Sequence, residues 1–159
     1  ITICSKKNVK LILNPAPYQK LEDKYLEKVH TITPNITETK YLTEIDITDI
    51  DKSKLAAKKL LDKGIKNVII TMGSKGVFFM SEDEMAHIEA ENVNAIDTTA
   101  AGDTFNGALA TAFSHSIDMI KSIKFSNAAA AFSVTKLGAQ SSIPSISQLD
   151  KKFQDYVYS

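Results

Sequence analysis

Short apolar runs alternate with helical faces between Val9 and Met72, and that alternation leaves few folds open. Val9–Leu13 (VKLIL), Thr31–Thr33 and Asn67–Met72 (NVIITM) are of strand length and rich in branched residues. Stop signals follow the first two, at Asn14-Pro15 and at Pro34. Helical patterns lie between them. Leu21–Val29 carries Leu21, Tyr25, Leu26 and Val29 on one face. Asn35–Leu42 opens on a capping asparagine, and Ser53–Asp62 lines up Leu55, Ala56, Leu60 and Leu61 before Gly64 ends it. Strands separated by helices pair in parallel through crossovers. The chain therefore reads as an α/β fold, a doubly wound, mainly parallel sheet with flanking helices. GSKG joins NVIITM to Val77–Met80 (VFFM) by a turn too short for a crossover, which adds an antiparallel hairpin.

Further along, Glu84–Ala90 reads as another strand and Ala95–Asp97 as the end of one more. Thr104–Ser114 has Phe105, Ala108, Leu109, Ala112 and Phe113 on one helical face. Ile117–Leu137 is a long helix carrying Ile120, Ile123, Ala130 and Val134. Its small run Ala128–Ala131 would let another backbone approach closely. GAQSSIPS is a loop, after which Ser147 caps a last amphipathic helix with Leu149, Phe153 and Tyr156. No repeat, low-complexity tract or linker interrupts residues 1–159, which read as one domain.

Composition excludes several classes. With 43% apolar and 24% charged residues the chain can build an ordinary core, and its formal net charge of zero gives no reason to propose nucleic acid or an anionic membrane as a partner. Cys4 is the only cysteine, so neither an intrachain disulfide nor a cysteine metal cluster is possible. His30, His87 and His115 are scattered, without metal-ligand spacing. No apolar run has membrane-spanning length and no secretory signal is visible, so a cytoplasmic setting is expected. The chain opens on Ile1 rather than Met and reads as a piece of something longer.

In a sheet of this kind ligands sit outside the carboxyl ends of strands, where loops lead into helices. Three loops qualify: TPNITE, TMGSKG and DTTAAGD. In the last, Thr99, Ala100, Ala101 and Gly102 carry little bulk, so a ligand could touch backbone N–H groups directly. The helix that follows adds unsatisfied donors and the positive end of its dipole. That combination suits a phosphate. Neither a Walker loop nor the dinucleotide glycine fingerprint is present, which disfavours an NAD-binding oxidoreductase. Asp103 would repel a resting phosphate. It makes sense as the acceptor of a proton from a hydroxyl that attacks the phosphate, since phosphoryl transfer needs mainly positioning and charge stabilisation. The alternative, that Asp103 merely offsets the helix dipole, stays open at this point.

The other two loops also have two readings. Asn35 and Glu38 can form a capping box, or they can organise water and Mg²⁺ around phosphates. Gly73 and Gly76 can simply make a tight turn. In the second reading Thr71, Gly73, Ser74 and Gly76 form a nucleotide-facing turn of bare backbone, with Lys75 in reach of a phosphate.

Taken in order, NPAP (14–17), TPNITE (33–38), TMGSKG (71–76), DTTAAGDTFNGALA (97–110) and AAAAFSVTKLGAQSSIP (128–144) resemble the ribokinases of the PfkB sugar-kinase family over essentially the whole chain. DTTAAGDTFNGA is the most specific segment. Its AAGD form and GAQSSIP both lean towards the ribokinases. The resemblance implies ATP-dependent phosphorylation of the 5-hydroxyl of D-ribose. Asp103 matches the catalytic base, Ala100, Ala101 and Gly102 the anion hole, and Thr71, Gly73, Ser74 and Gly76 the nucleotide loop. Asn35 matches a nucleotide contact, Glu38 completes an NxxE motif near Mg²⁺, and Asn127 falls where the family approaches the adenine. A monovalent cation site, usually K⁺, is implied at Asp97, Thr99, Ser133, Lys136, Gly138 and Ser142, mostly through backbone carbonyls. A cation there would orient the loop and offset the charge of Asp97.

The resemblance also implies what the chain lacks. The N-terminal half of the family, with its small lid that forms a homodimer contact, its glycine-rich motif and most sugar contacts, is not in this sequence. The missing half is expected in cis or from a partner chain, and residues 1–159 alone are expected to be nearly inactive, because catalysis requires both reactants held in line. The alternatives are another sugar kinase of the family, such as a fructokinase, or a truncated nucleotide-binding module without activity.

Overall fold

The computed structural model describes residues 1–158, with side chains through Tyr156. It divides into two compact units, Ile1–Met72 with Val77–His87, and Gly73–Gly76 with Ile88 onward.

The first unit is built on a mixed sheet in the order β1 (Ile12–Leu13), β2 (Thr31–Ile32), β3 (Asn67–Thr71), β4 (Val77–Ser81) and β5 (Met85–Ile88). β1, β2 and β3 are parallel and β3–β4 is the expected antiparallel hairpin, in the register Asn67↔Ser81 to Thr71↔Val77. Helices make the crossovers: α2 (Asp23–Leu26) between the first two strands, α3 (Ile36–Thr43) and α4 (Ile50–Leu61) between the next two. The α/β class read from the alternation is thus the class observed. Val68, Ile69 and Ile70 of β3 are all fully buried, so the strand is covered on both faces, as its unbroken branched run requires. Val68 and Ile70 pack in one cluster with Ile32, Phe78, Ala56 and Leu60.

Several boundaries differ from the sequence reading. A short α1 (Thr2–Lys6) precedes the first strand, and the Val9 N–H donates to the Cys4 carbonyl (2.9 Å) to close it. Val9 is therefore 57% exposed and the strand shrinks to Ile12–Leu13. Leu21–Val29 narrows to a four-residue helix. The Lys28 and Val29 N–H groups bond three residues back, to Tyr25 and Leu26, as the chain turns in to start β2. α4 starts at Ile50, three residues before the expected Ser53, and Asp49 caps it, accepting the Lys52 N–H at 2.8 Å. That start sets the buried stripe at Ser53, Ala56, Ala57 and Leu60, and leaves Leu55 54% exposed instead of facing the core.

The second unit packs α5 (Ala101–Ser114) on α6 (Met119–Ser133), with α7 (Lys151–Tyr158) against α6. Ala112 of α5 and Phe125, Ala128 and Ala129 of α6 share a cluster with Leu149 and Phe153, so the alanine run does admit a close neighbour. Residues 95–97 form no strand: the Ile96 and Asp97 N–H groups both donate to the Val134 carbonyl, at 2.7 and 3.2 Å. α6 stops at Ser133, where Thr135 and Lys136 tighten into bonds to Phe132 and Ser133. Ser147 caps nothing. It lies inside a single 3₁₀ turn, Ile146–Gln148, capped by Ser145 with Gln148, and α7 begins later.

Candidate active site

The loop that opens α5 is built from side chains that stay out of the way. Ala100 is the N-cap residue and makes no side-chain cap bond. The Ala101 N–H turns back to the Thr98 carbonyl (3.2 Å) and the Thr104 N–H to the Ala100 carbonyl (2.8 Å). The N–H groups of Gly102 and Asp103 have no acceptor among the described residues, which makes them the free donors of the helix start. A Cβ placed on Gly102 would meet no atom within 4 Å, so a side chain there would enter open space.

Asp103 is the third helical residue, and its side chain is exposed. An acid there can reach back to the N-cap N–H. Glu38 does so in α3, where its Oε2 accepts the Asn35 N–H at 2.9 Å while Asn35 Oδ1 accepts the Glu38 N–H at 2.9 Å. Among the described residues nothing holds the Asp103 carboxylate in that way. It is an unheld carboxylate beside free donors. Next to it, Thr104 Oγ1 is buried without a hydrogen-bond partner among the described residues, a feature the sequence, which marks Thr104 only as a helix start, did not signal.

Asp97 clamps two loops. One carboxylate oxygen accepts from the Thr99 hydroxyl and from the Thr99 N–H (3.0 Å), and the other accepts from the Gly138 N–H at 3.0 Å. The Thr99 hydroxyl first, then the Gly138 and Thr99 N–H groups, hold its carboxyl below its ordinary value. The same clamp draws Thr99 and Gly138 together, with Val134 fastened to the Asp97 N–H. Ser133 and Ser142 are buried, their hydroxyls donating to the carbonyls of Ala130 (2.8 Å) and Ala139 (2.7 Å), which leaves their oxygens able to accept or ligate. The Lys136 ammonium sits 4.3 Å from the centre of the Phe132 ring, leaving its carbonyl as the group it could offer a cation. These donors are oxygens with a single carboxylate among them, a set that suits a hard cation of low charge.

The Asp97 clamp makes a pH prediction. A folded-state pKa below the unfolded value contributes stability that is present above the ordinary carboxylate range and lost as pH falls through the folded value. Melting temperatures of the wild type and Asp97→Asn should therefore differ at pH 7 and converge on acidification below about pH 4, the ordinary carboxylate range. A constant gap across that window would mean the clamp is not ionic.

Gly73–Lys75 form a 3₁₀ turn between β3 and β4, and the Gly76 N–H closes it on the Gly73 carbonyl at 3.0 Å. Gly73 and Gly76 have φ of 58° and 84°, the region that favours glycine. Ser74 is exposed at the tip. Asn127, on α6, donates through Nδ2 to the Glu89 carbonyl at 2.8 Å. In the first unit, Asn35 bridges Thr71 in parallel fashion, and the Thr71 N–H donates to the Pro34 carbonyl at 2.9 Å. Asn35, Glu38 and Thr71 thus meet at the carboxyl ends of β2 and β3, where the capping box read from sequence is formed in full. Glu38 spends one carboxylate oxygen on that box and keeps the other.

Fold and loop together define an α/β protein that offers an anion bare backbone at a helix start, beside an unheld carboxylate. The profile of the pfkB family carbohydrate kinases matches residues 1–146, and the chain belongs to that family. It is 49% identical over 142 residues to a ribokinase of Haemophilus influenzae, covering 89% of this chain and 46% of that protein. It is 42% identical over 147 residues to a deoxyribokinase of Salmonella typhi, covering 92% of this chain and 48% of that one. Among solved structures, an Arabidopsis thaliana ribokinase complexed with ribose and ATP superimposes with a TM-score of 0.86 at 26% identity, covering 99% of this chain and 50% of that chain. The chain spans about half the length of the relatives it matches.

Proposed function

We propose that this chain supplies the nucleotide side and the base of an ATP-dependent ribose kinase. The observation that carries the reading is the Asp103 carboxylate, unheld on the third residue of α5, beside the free N–H groups of Gly102 and Asp103. Asp103 takes the proton of the ribose 5-hydroxyl as that oxygen bonds to the γ-phosphorus of ATP. The bond from the γ-phosphorus to the bridging oxygen breaks and ADP leaves with its electron pair. Ala100, Ala101 and Gly102 line the anion hole, where the free N–H groups of Gly102 and Asp103 meet charge spread over the phosphoryl oxygens. Asn35, Thr71, Gly73, Ser74, Gly76 and Asn127 are the nucleotide residues of this reading. Glu38 is poised for a water of Mg²⁺, an ion that keeps most of its shell as water and phosphate oxygen and needs few carboxylates. Asp97, Thr99, Ser133, Lys136, Gly138 and Ser142 surround a K⁺ site. When bound, the two cations supply positive charge near the phosphates and fix the loop.

The sugar is gripped by the other half of the catalytic unit, in cis or from a partner chain, and the full-length protein is a cytoplasmic homodimer. No helix among the described residues is long and apolar enough to cross a membrane. The similarity to a deoxyribokinase favours one second reading, 2-deoxyribose in place of ribose. Phosphorylation of ribose, 2-deoxyribose and fructose by the full-length enzyme separates these: kcat/KM highest for ribose is expected, and a preference for either other sugar overturns the assignment.

The anion hole has its own test. Because a side chain on Gly102 meets open space, Gly102→Val should fold with little change in melting temperature. Its bulk would then occupy the place of the phosphate, and ATP affinity measured by calorimetry should fall by about tenfold or more, equivalent to about 1.4 kcal/mol. Unchanged affinity and turnover would remove the case for a backbone cradle.

A further inference from the structure

We infer that Asn127 is a positioning residue for the nucleotide turn and acts through the strap Ile88–Ala90. This rests on the reading of Gly73–Gly76 as the nucleotide turn. The strap is held from two sides. On one side Gly76 lies so close that a Cβ there would stand 2.0 Å from the Ile88 carbonyl oxygen and 2.8 Å from both the Ala90 nitrogen and the Glu89 carbonyl carbon. On the other side Asn127 Nδ2 donates to the Glu89 carbonyl at 2.8 Å, across 38 residues of sequence. The turn therefore rests on a backbone segment whose middle carbonyl is fastened to α6. A backbone carbonyl only accepts, so the amide nitrogen must face it, and the orientation of the Asn127 side chain is fixed by chemistry. Gly76 lies against the strap with no side chain to adjust the fit. The Asn127 bond is then the device that sets where the strap lies, and with it the height of the Gly73–Gly76 turn.

The test uses two variants of the full-length enzyme. Asn127→Asp keeps the shape but removes the donor and sets a carboxylate against a carbonyl. Asn127→Ala removes the side chain at a position where alanine favours the helix. Both should raise KM for ATP about three- to tenfold, the range expected from one lost hydrogen bond, and leave kcat and KM for the sugar within about twofold. A merely structural role would lower active enzyme and kcat without that split. Hydrogen exchange at the amides of 73–76 and 88–90 should speed up in both variants, with 104–112 unchanged. Unchanged exchange at 73–76 in both variants overturns the inference, as does a uniform loss of kcat at constant KM for ATP. If the wild type phosphorylates no sugar, the kinase reading fails on its own, and exchange at 73–76 still decides the role of Asn127.

Discussion

Asp103→Asn should lower kcat of the full-length kinase by about 10²- to 10⁴-fold, the range a positioned general base contributes, while leaving ATP affinity near that of the wild type. The substitution keeps the shape of the side chain and removes its basicity together with its charge. No partner is stranded by it, because among the described residues no hydrogen bond or ion pair holds the carboxylate. The competing role, offsetting the dipole of α5, predicts a different pattern. Loss of one negative charge in a first turn costs about 0.3–1 kcal/mol of stability and leaves chemistry alone. Single-turnover rates, ATP calorimetry and a thermal melt on the same pair of proteins separate the two. A rate within about tenfold of wild type, the weak edge of general-base effects, together with a lower melting temperature, would return Asp103 to a structural part.

How much of this was legible in the chain depended on the range of the interaction. The capping box of Asn35 and Glu38 is a contact between residues three apart, and its letters state it. The buried strand Asn67–Thr71 was equally plain, because branched residues covered on both faces show no alternation. The start of α4 was misplaced for a local reason. Asp49 caps it through a carboxylate on extended backbone four residues before Ser53, where no buried apolar residue marks the first turn. Ala95–Asp97 has the look of a strand end, yet its N–H groups go to the Val134 carbonyl, and backbone acceptors leave no mark on side-chain identity. The same holds for Glu89, which serves Asn127 through its carbonyl. Among site residues, Asp97 and Gly138 were named by the motif. That one carboxylate would fasten both Thr99 and Gly138 was a matter of folded geometry.

Gly76→Ala should be the most damaging of the conservative glycine changes, and Gly73→Ala gives the measure of it. Both residues have positive φ, 84° and 58°, so both alanines carry the left-handed penalty of about 1–2 kcal/mol. Their surroundings differ. A Cβ on Gly73 meets nothing within 4 Å, whereas one on Gly76 falls 2.0 Å from the Ile88 carbonyl oxygen. The obstructing atoms are backbone, so no rotamer change relieves them. Either the strap at 88–90 shifts and strains the Asn127 bond, or the turn opens and the start of β4 moves. Displacing packed structure in this way costs about 1–3 kcal/mol beyond the dihedral penalty, a large share of the about 5–15 kcal/mol that holds a typical domain folded. Urea unfolding of the two variants beside wild type should therefore place Gly73→Ala slightly below wild type and Gly76→Ala well below Gly73→Ala. ATP binding should follow the same order, since the displaced segment carries Gly73 and Ser74. Equal unfolding midpoints for the two alanines would mean the turn and the strap are not in contact, and the route from Asn127 to the nucleotide turn would fall with that contact.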